Sequence, residues 1–346
     1  MKYDYVDEFS EGLAVVELRG KLGFINQAGD LVIGTKYDKG CVCGFSEGLA
    51  VIKRNDKWGF VDKNGNEVVP PQYEKASSFK NGLAVVTKNQ KEGMIDKSGR
   101  VVIPFKYEHL LRESEGLIGA SLNGKVGFIN RSGVTVIPFE YDNASIFSEG
   151  LAPVESKKQW GFIDKRGKVV IAIKYDYAGC FSDGLAAVGI GVADFPDGGM
   201  EYKMGLVNKR GELLRLVPLN PEELGSALED HDGDKYLDYY YGSIDRFSEG
   251  LAVAYRHGKQ GFINTRGIEV VPLKYDGCDC GEFSSGIGMV NLDNKFGFVD
   301  RTGVEVVSIK YDEIWCDGFR RDGFIGVKLN GKKGFVDLYG NEYWDL

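Results

Sequence analysis

A pair of glycines six residues apart returns nine times along this chain, and no other feature narrows the possible folds as much. The first glycine stands at Gly23, Gly59, Gly93, Gly127, Gly161, Gly205, Gly261, Gly297 and Gly334. The second follows at Gly29, Gly65, Gly99, Gly133, Gly167, Gly211, Gly267, Gly303 and Gly340. A fixed offset repeated in this way marks an array of short units, each too small to bury its apolar face without a neighbour. No break in composition divides the 346 residues, so the chain reads as one array over 1–346.

Residues 45–73 show the unit. Phe45-Ser46-Glu47-Gly48 reads as a turn, Leu49-Ala50-Val51-Ile52 as a first strand and Trp58 to Val61 as a second. Asp62-Lys63-Asn64-Gly65 closes a hairpin, Glu67-Val68-Val69-Pro70 is a third strand, and Tyr73 lies in the exit. Asp or Asn leads the closing turn in all nine copies, and glycine ends it. That is the type I pattern, in which the leading side chain bonds the backbone two residues on. The third strand often ends in proline (Pro70, Pro104, Pro138, Pro272), which is expected to mark where the strand leaves the sheet. The expected fold is all-β, nine three-stranded repeats of about 34 residues.

From Gly48 to Gly59 is eleven residues, and only the sixth unit departs from that gap. There the array carries insertions at about 189–202 and 212–245. Asn220-Pro221-Glu222-Glu223 opens like a helix, with a capping Asn, proline at the first position and acids in the first turn, predicting a helix over 221–229. Long loops on a repeat scaffold are where function tends to be placed.

The motifs Phe-Ser-Glu-Gly-Leu-Ala-Val, Lys-Trp-Gly-Phe-Val-Asp and Val-Val-Pro-Pro-Gln-Tyr resemble the consensus of bacterial WG-repeat proteins, from Tyr3 to Asn341. The tryptophan of that name stands only at Trp58 and Trp160. Leu22, Glu92, Val126, Met204, Gln260, Phe296 and Lys333 fill the slot elsewhere. The resemblance implies an all-β binding or interaction module and brings no catalytic residues with it. Both terminal units keep apolar residues, among them Val15, Phe24 and Ile33 at one end and Phe324, Val327 and Phe335 at the other. An open solenoid needs polar caps, so a propeller-like toroid is favoured over an open β-solenoid.

Net charge is −8 with no Lys/Arg run, which speaks against a nucleic-acid partner. No apolar run nears the ~20 residues of a membrane span, and no secretory signal is visible in this chain. The expected setting is cytoplasmic, or secreted or translocated by a route that needs no such signal. The six cysteines, Cys41, Cys43, Cys180, Cys278, Cys280 and Cys316, fall in connectors where other units hold Ala76-Ser77 or Ala144-Ser145, and read as structural thiols.

The three histidines, His109, His231 and His257, occupy different places in the period, and no hydrolase, P-loop or zincin motif occurs, so no enzyme is expected. Asp230, Asp232, Asp234 and Asp238 space oxygen ligands as calcium loops do. Lys235 replaces the usual bending glycine and Tyr241 the closing Glu, so a solvated acidic loop is the stronger reading and calcium the other. Tyr236, Tyr239, Tyr240 and Tyr241 flank that loop, and Trp58, Trp160 and Phe296 share a slot that elsewhere accepts charge. Both sets suit aromatic contacts with a partner. The expectation is a monomeric protein–protein interaction scaffold, with a carbohydrate or small-ligand binding module as the alternative.

Overall fold

The computed structural model describes residues 2–40, 44–194, 200–214, 243–256, 258–277, 283, 286–315, 323–337 and 339–344. The chain forms two compact units, 1–146 with 165–167, and 147–164 with 168–346. Each is a succession of antiparallel sheets of three or four strands, in which neighbours in sequence are neighbours in the sheet. No helix occurs among the described residues. The predicted helix over 221–229 lies outside them.

Three turns build the regular repeat. Glu47 (φ 53°) and Gly48 (φ 86°) form a two-residue turn with both residues left-handed, closed by mutual bonds between Ser46 and Leu49. Asn55 (φ 52°) and Asp56 (φ 57°) make a second of the same kind between strands Leu49–Arg54 and Lys57–Asp62. Such turns twist as the flanking strands do, so they favour hairpins. The third is the expected type I turn. The Asp62 carboxylate accepts the N–H of Asn64 at 2.9 Å and of Asn66 at 2.8 Å, and Gly65 sits at φ 86°.

The proline expectation is corrected. Strand Glu67–Tyr73 continues through Pro70 and Pro71. It pairs Val69 with Phe60 and rejoins at Tyr73, opposite Trp58. Between those pairs the second strand has one residue, Gly59, and the third has three. The surplus bulges over the glycine: a Cβ on Gly59 would lie 2.4 Å from the Val69 carbonyl oxygen and 2.7 Å from the Pro71 nitrogen. This explains the first glycine of the pair, because only a residue without a side chain lets the third strand cross so closely. Proline is tolerated there because a bulged residue owes the ladder no N–H.

Two of the sheets have the expected three strands, and the others add a fourth. The connector after an exit tyrosine adds a two-residue strand to the next hairpin, as Lys75–Ala76 pairs with Thr87 and Val86.

Hydrophobic cores lie between consecutive repeats. Leu49, Val51, Phe60, Val69 and Tyr73 of one repeat meet Phe79, Ala84, Val86 and Ile95 of the next. The Phe60 and Phe79 rings stand 4.7 Å apart, and the same pairing recurs at Phe24–Phe45, Phe162–Phe181 and Phe262–Phe283. Burying each such ring contributes about 2–3 kcal/mol. The exit tyrosines are buried in these layers too.

Candidate interaction site

The junctions between repeats show what is constant, and so what is exceptional. Glu47 holds a left-handed backbone that glutamate does not favour. Its carboxylate accepts the Gly82 N–H of the next repeat at 2.9 Å and pairs with Lys97 at 3.1 Å. Glu11 does the same with Gly48 and Lys63, and Glu149 with Gly184 and Lys209. Glu249 binds Gly286 and Arg301 likewise. Hydrogen bonds from Lys63 hold the Glu11 carboxyl below its usual value. Beside this latch, the serine hydroxyl donates to the next phenylalanine carbonyl, as Ser46 to Phe79 at 2.8 Å and Ser148 to Phe181 at 2.6 Å. A second acid, after the exit tyrosine, caps the next hairpin: Asp38 accepts Asn55 N–H at 2.7 Å while Lys21 holds its carboxyl low.

The tryptophan slot touches connectors: a Cβ on Gly40, before its hairpin, would lie 2.9 Å from the Trp58 ring, and Lys333 stands 5.1 Å from the ring of Trp315. Trp58 is half-buried, packs with Ala76 against the next core and has the Lys53 ammonium 5.8 Å from its ring. Trp160 packs with Ala178, and Phe296 lies against the Ile325–Val327 layer, both also half-buried. Leu22 and Met204 fill the same slot fully buried, and Glu92 there accepts the Leu110 N–H at 2.6 Å. At Trp58, Trp160, Phe296 and Glu92 the slot is thus occupied by contacts with a neighbouring repeat. Tyr236, Tyr239, Tyr240, Tyr241, Asp230, Asp232, Asp234 and Asp238 lie outside the described residues, as do His231, His257 and every cysteine but the half-buried Cys180. His109 is exposed, with Glu92 3.3 Å away. Among the described residues, no cluster of three or more His, Cys, Asp or Glu is placed to hold a metal ion.

The sixth repeat breaks the pattern. Its strands Leu185–Asp194 and Met200–Asn208 have 10 and 9 residues, against six in the equivalent strands of repeat 5. Its register shifts between Gly189 and Val192, so the outer part of the hairpin is added beyond the ordinary turn position. Yet the junction to repeat 7 survives: Asp183 accepts Gly250 N–H at 2.8 Å across 67 residues, where Glu149 and Gly184 are 35 apart. Ile244, Phe247, Ala252 and Ile263 close the core over Leu185, Ala187 and Leu206. The contact between repeats 6 and 7 is thus kept although Leu214 and Ser243 are far apart in sequence.

Stacked antiparallel sheets joined through short connectors define a β-repeat array. The sequence matches the model of the family described as WG containing repeat at residues 1–21, 23–58, 58–91, 93–125, 127–158, 160–191, 261–296 and 296–332. The chain belongs to that family. The matches lapse between 191 and 261, the stretch that holds the long hairpin and the added residues. No curated protein matches the sequence. Among solved structures, a eukaryotic initiation factor is similar in fold, with a TM-score of 0.53 at 11% identity, covering 98% of this chain and 96% of that one. Kluyveromyces lactis Hsv2p is also similar, with a TM-score of 0.38 at 8% identity, covering 75% of this chain and 93% of that one. Among the described residues, no helix is long and apolar enough to cross a membrane.

Proposed function

We propose that this chain is a non-enzymatic interaction scaffold that presents its sixth repeat to a protein or peptide partner. One observation carries the reading: a single repeat departs from a uniform lattice, and the departure leaves the junctions on both sides bonded. A spacer would need no such length, because elsewhere at most eleven residues separate the strands of successive repeats. The residues added between Leu214 and Ser243 include Tyr236, Tyr239, Tyr240 and Tyr241, a side-chain type suited to recognition. The net charge of −8 favours a protein over a nucleic acid.

The test replaces residues 215–242 by a connector of ordinary length and compares lysate capture and glycan-array binding by both proteins. Loss of a specific captured protein, with the fold intact, supports the proposal. Undiminished capture moves the site to the regular repeats and makes the Trp58 and Trp160 slot the next candidate. Binding to glycans alone favours the carbohydrate reading.

A further inference from the structure

Every internal repeat offers two faces, and the contact between them is known from the junctions. A connector phenylalanine enters from one side and packs on a second-strand side chain of the repeat before. In the connector position, Phe45, Phe79, Phe147, Phe181, Phe247 and Phe283 are all buried, but Phe9 is 47% exposed. In the second-strand position, Phe24, Phe60, Phe128, Phe162, Phe262 and Phe298 are all buried, but Phe335 is 40% exposed. The turn glycines agree. A Cβ on Gly65 would touch Ile33 of the previous repeat at 3.6 Å, and one on Gly211 would touch Ile171 at 3.4 Å, whereas one on Gly29 meets nothing within 4 Å.

Aromatic exposure follows the same division. Apart from Tyr177, the strongly exposed aromatic side chains among the described residues are Tyr5, Phe9, Trp315, Phe335, Tyr339 and Tyr343, all in the first and last repeats. Tyr3 covers the inner part of the first face, over Ala14, Val16 and Ile25, and leaves the Phe9 rim open. Phe9 is thus a knob of the type that fits the socket at Phe335. Internal pairs of this type sit with ring centroids 4.6 to 5.0 Å apart.

We propose that the Phe9 rim of one copy docks on the Phe335 face of a second copy, so that the chain associates head to tail. The occupant is specified by the internal junctions, which show what such a face accepts. The contact is heterologous, because the two surfaces differ, and it leaves a free knob and a free socket on every assembly that does not close. It runs against the monomer expected from the sequence.

Sedimentation velocity of the full chain over a concentration series tests this with wild type, Phe9→Glu, Phe335→Glu and an equimolar mixture of the two variants. Both side chains are already exposed, so circular dichroism should show each variant folded. The expected result is concentration-dependent assembly of wild type beyond the dimer, weakened on the order of 100-fold by either substitution. The mixture should assemble again but stop at a dimer, since each variant retains the face the other has lost. A wild type that stays monomeric at its highest soluble concentration overturns the proposal. Symmetric dimers from either single variant would overturn it as well.

Discussion

Repeats 5 and 6 are neighbours built from the same motifs, and they differ in how each is tied to its successor. Repeat 5 joins repeat 6 through the Ser148 hydroxyl on Phe181, the Glu149 carboxylate on Gly184 and the Lys209 ammonium. Repeat 6 joins repeat 7 with the serine bond reversed, Phe247 N–H donating to Ser182 Oγ at 2.7 Å. Asp183 still accepts the Gly250 N–H, but Thr265 stands where a lysine would reach it. The apolar contact is kept while the polar one is thinned. The difference teaches that non-directional packing carries an insertion more easily than a three-part hydrogen-bonded latch does.

The largest expected effect tests whether the two cores are equal. Phe181→Ala and Phe247→Ala should each cost about 4 kcal/mol in urea unfolding. A negligible cost at Phe247 would show that the sixth junction is held by something else. Next comes the crossing glycine. In Gly161→Ala the new Cβ would lie 2.6 Å from the Ile173 Cα, and backbone cannot swing aside as a side chain does. A loss of about 3 kcal/mol is expected, and an unchanged midpoint would mean the bulge relaxes freely. Gly167→Val places a β-branched residue at φ 82° and should cost about 2 kcal/mol by thermal melting.

The polar latches separate the two repeats most sharply. Glu149→Gln loses its ion pair with Lys209 and should cost about 1 kcal/mol, more than Asp183→Asn, whose carboxylate lacks such a lysine. Equal costs would remove the distinction. The latches also set an acid limit. Hydrogen bonds from lysine hold Glu11, Asp38, Glu108, Asp276 and Asp312 below their ordinary values of 4.5 for Glu and 3.8 for Asp. Groups depressed on folding add stability that is complete above those values and is lost as pH falls through the lower, folded ones. Thermal midpoints should therefore be level near neutrality and fall below about pH 4, a fall that 0.5 M salt reduces by screening the exposed pairs. A midpoint that rises on acidification would contradict the latch. Excision of 215–242 should have the smallest effect, a midpoint within a few degrees of wild type.

Turns, strands and the repeat period were legible because they depend on residues close in sequence. The leading Asp or Asn of the type I turn and its glycine announce their roles within four positions. The crossing at Gly59 was not legible, because it depends on two strands meeting with unequal residue counts. Pro70 looked like an end when it is the crest of a bulge. Nor could sequence show why a glutamate occupies the left-handed position at Glu47, since its partner at Gly82 is 35 residues away. Because charge is tolerated in the slot of Trp58 and Trp160, the sequence suggested a position at least partly facing solvent, and both side chains are half-buried. Glu92 shows the reason for the tolerance: its carboxylate finds the Leu110 N–H, so a charged residue there is satisfied without facing water alone.

The Glu-to-Gly latch has a consequence for how such a chain can change length over generations. In most repeats the carboxylate and the amide it would need from a neighbour are carried on adjacent residues of one motif. A duplicated copy therefore arrives with both halves of the joint, and any copy fits beside any other. Gain or loss of a repeat by unequal recombination would disturb no interface that is not rebuilt at once, whereas a novelty placed inside a repeat would have to be tolerated by two joints together. Sequence added between the motifs of repeats 6 and 7 leaves both motifs whole, which makes that stretch the place where new residues can be trialled at least risk to the array.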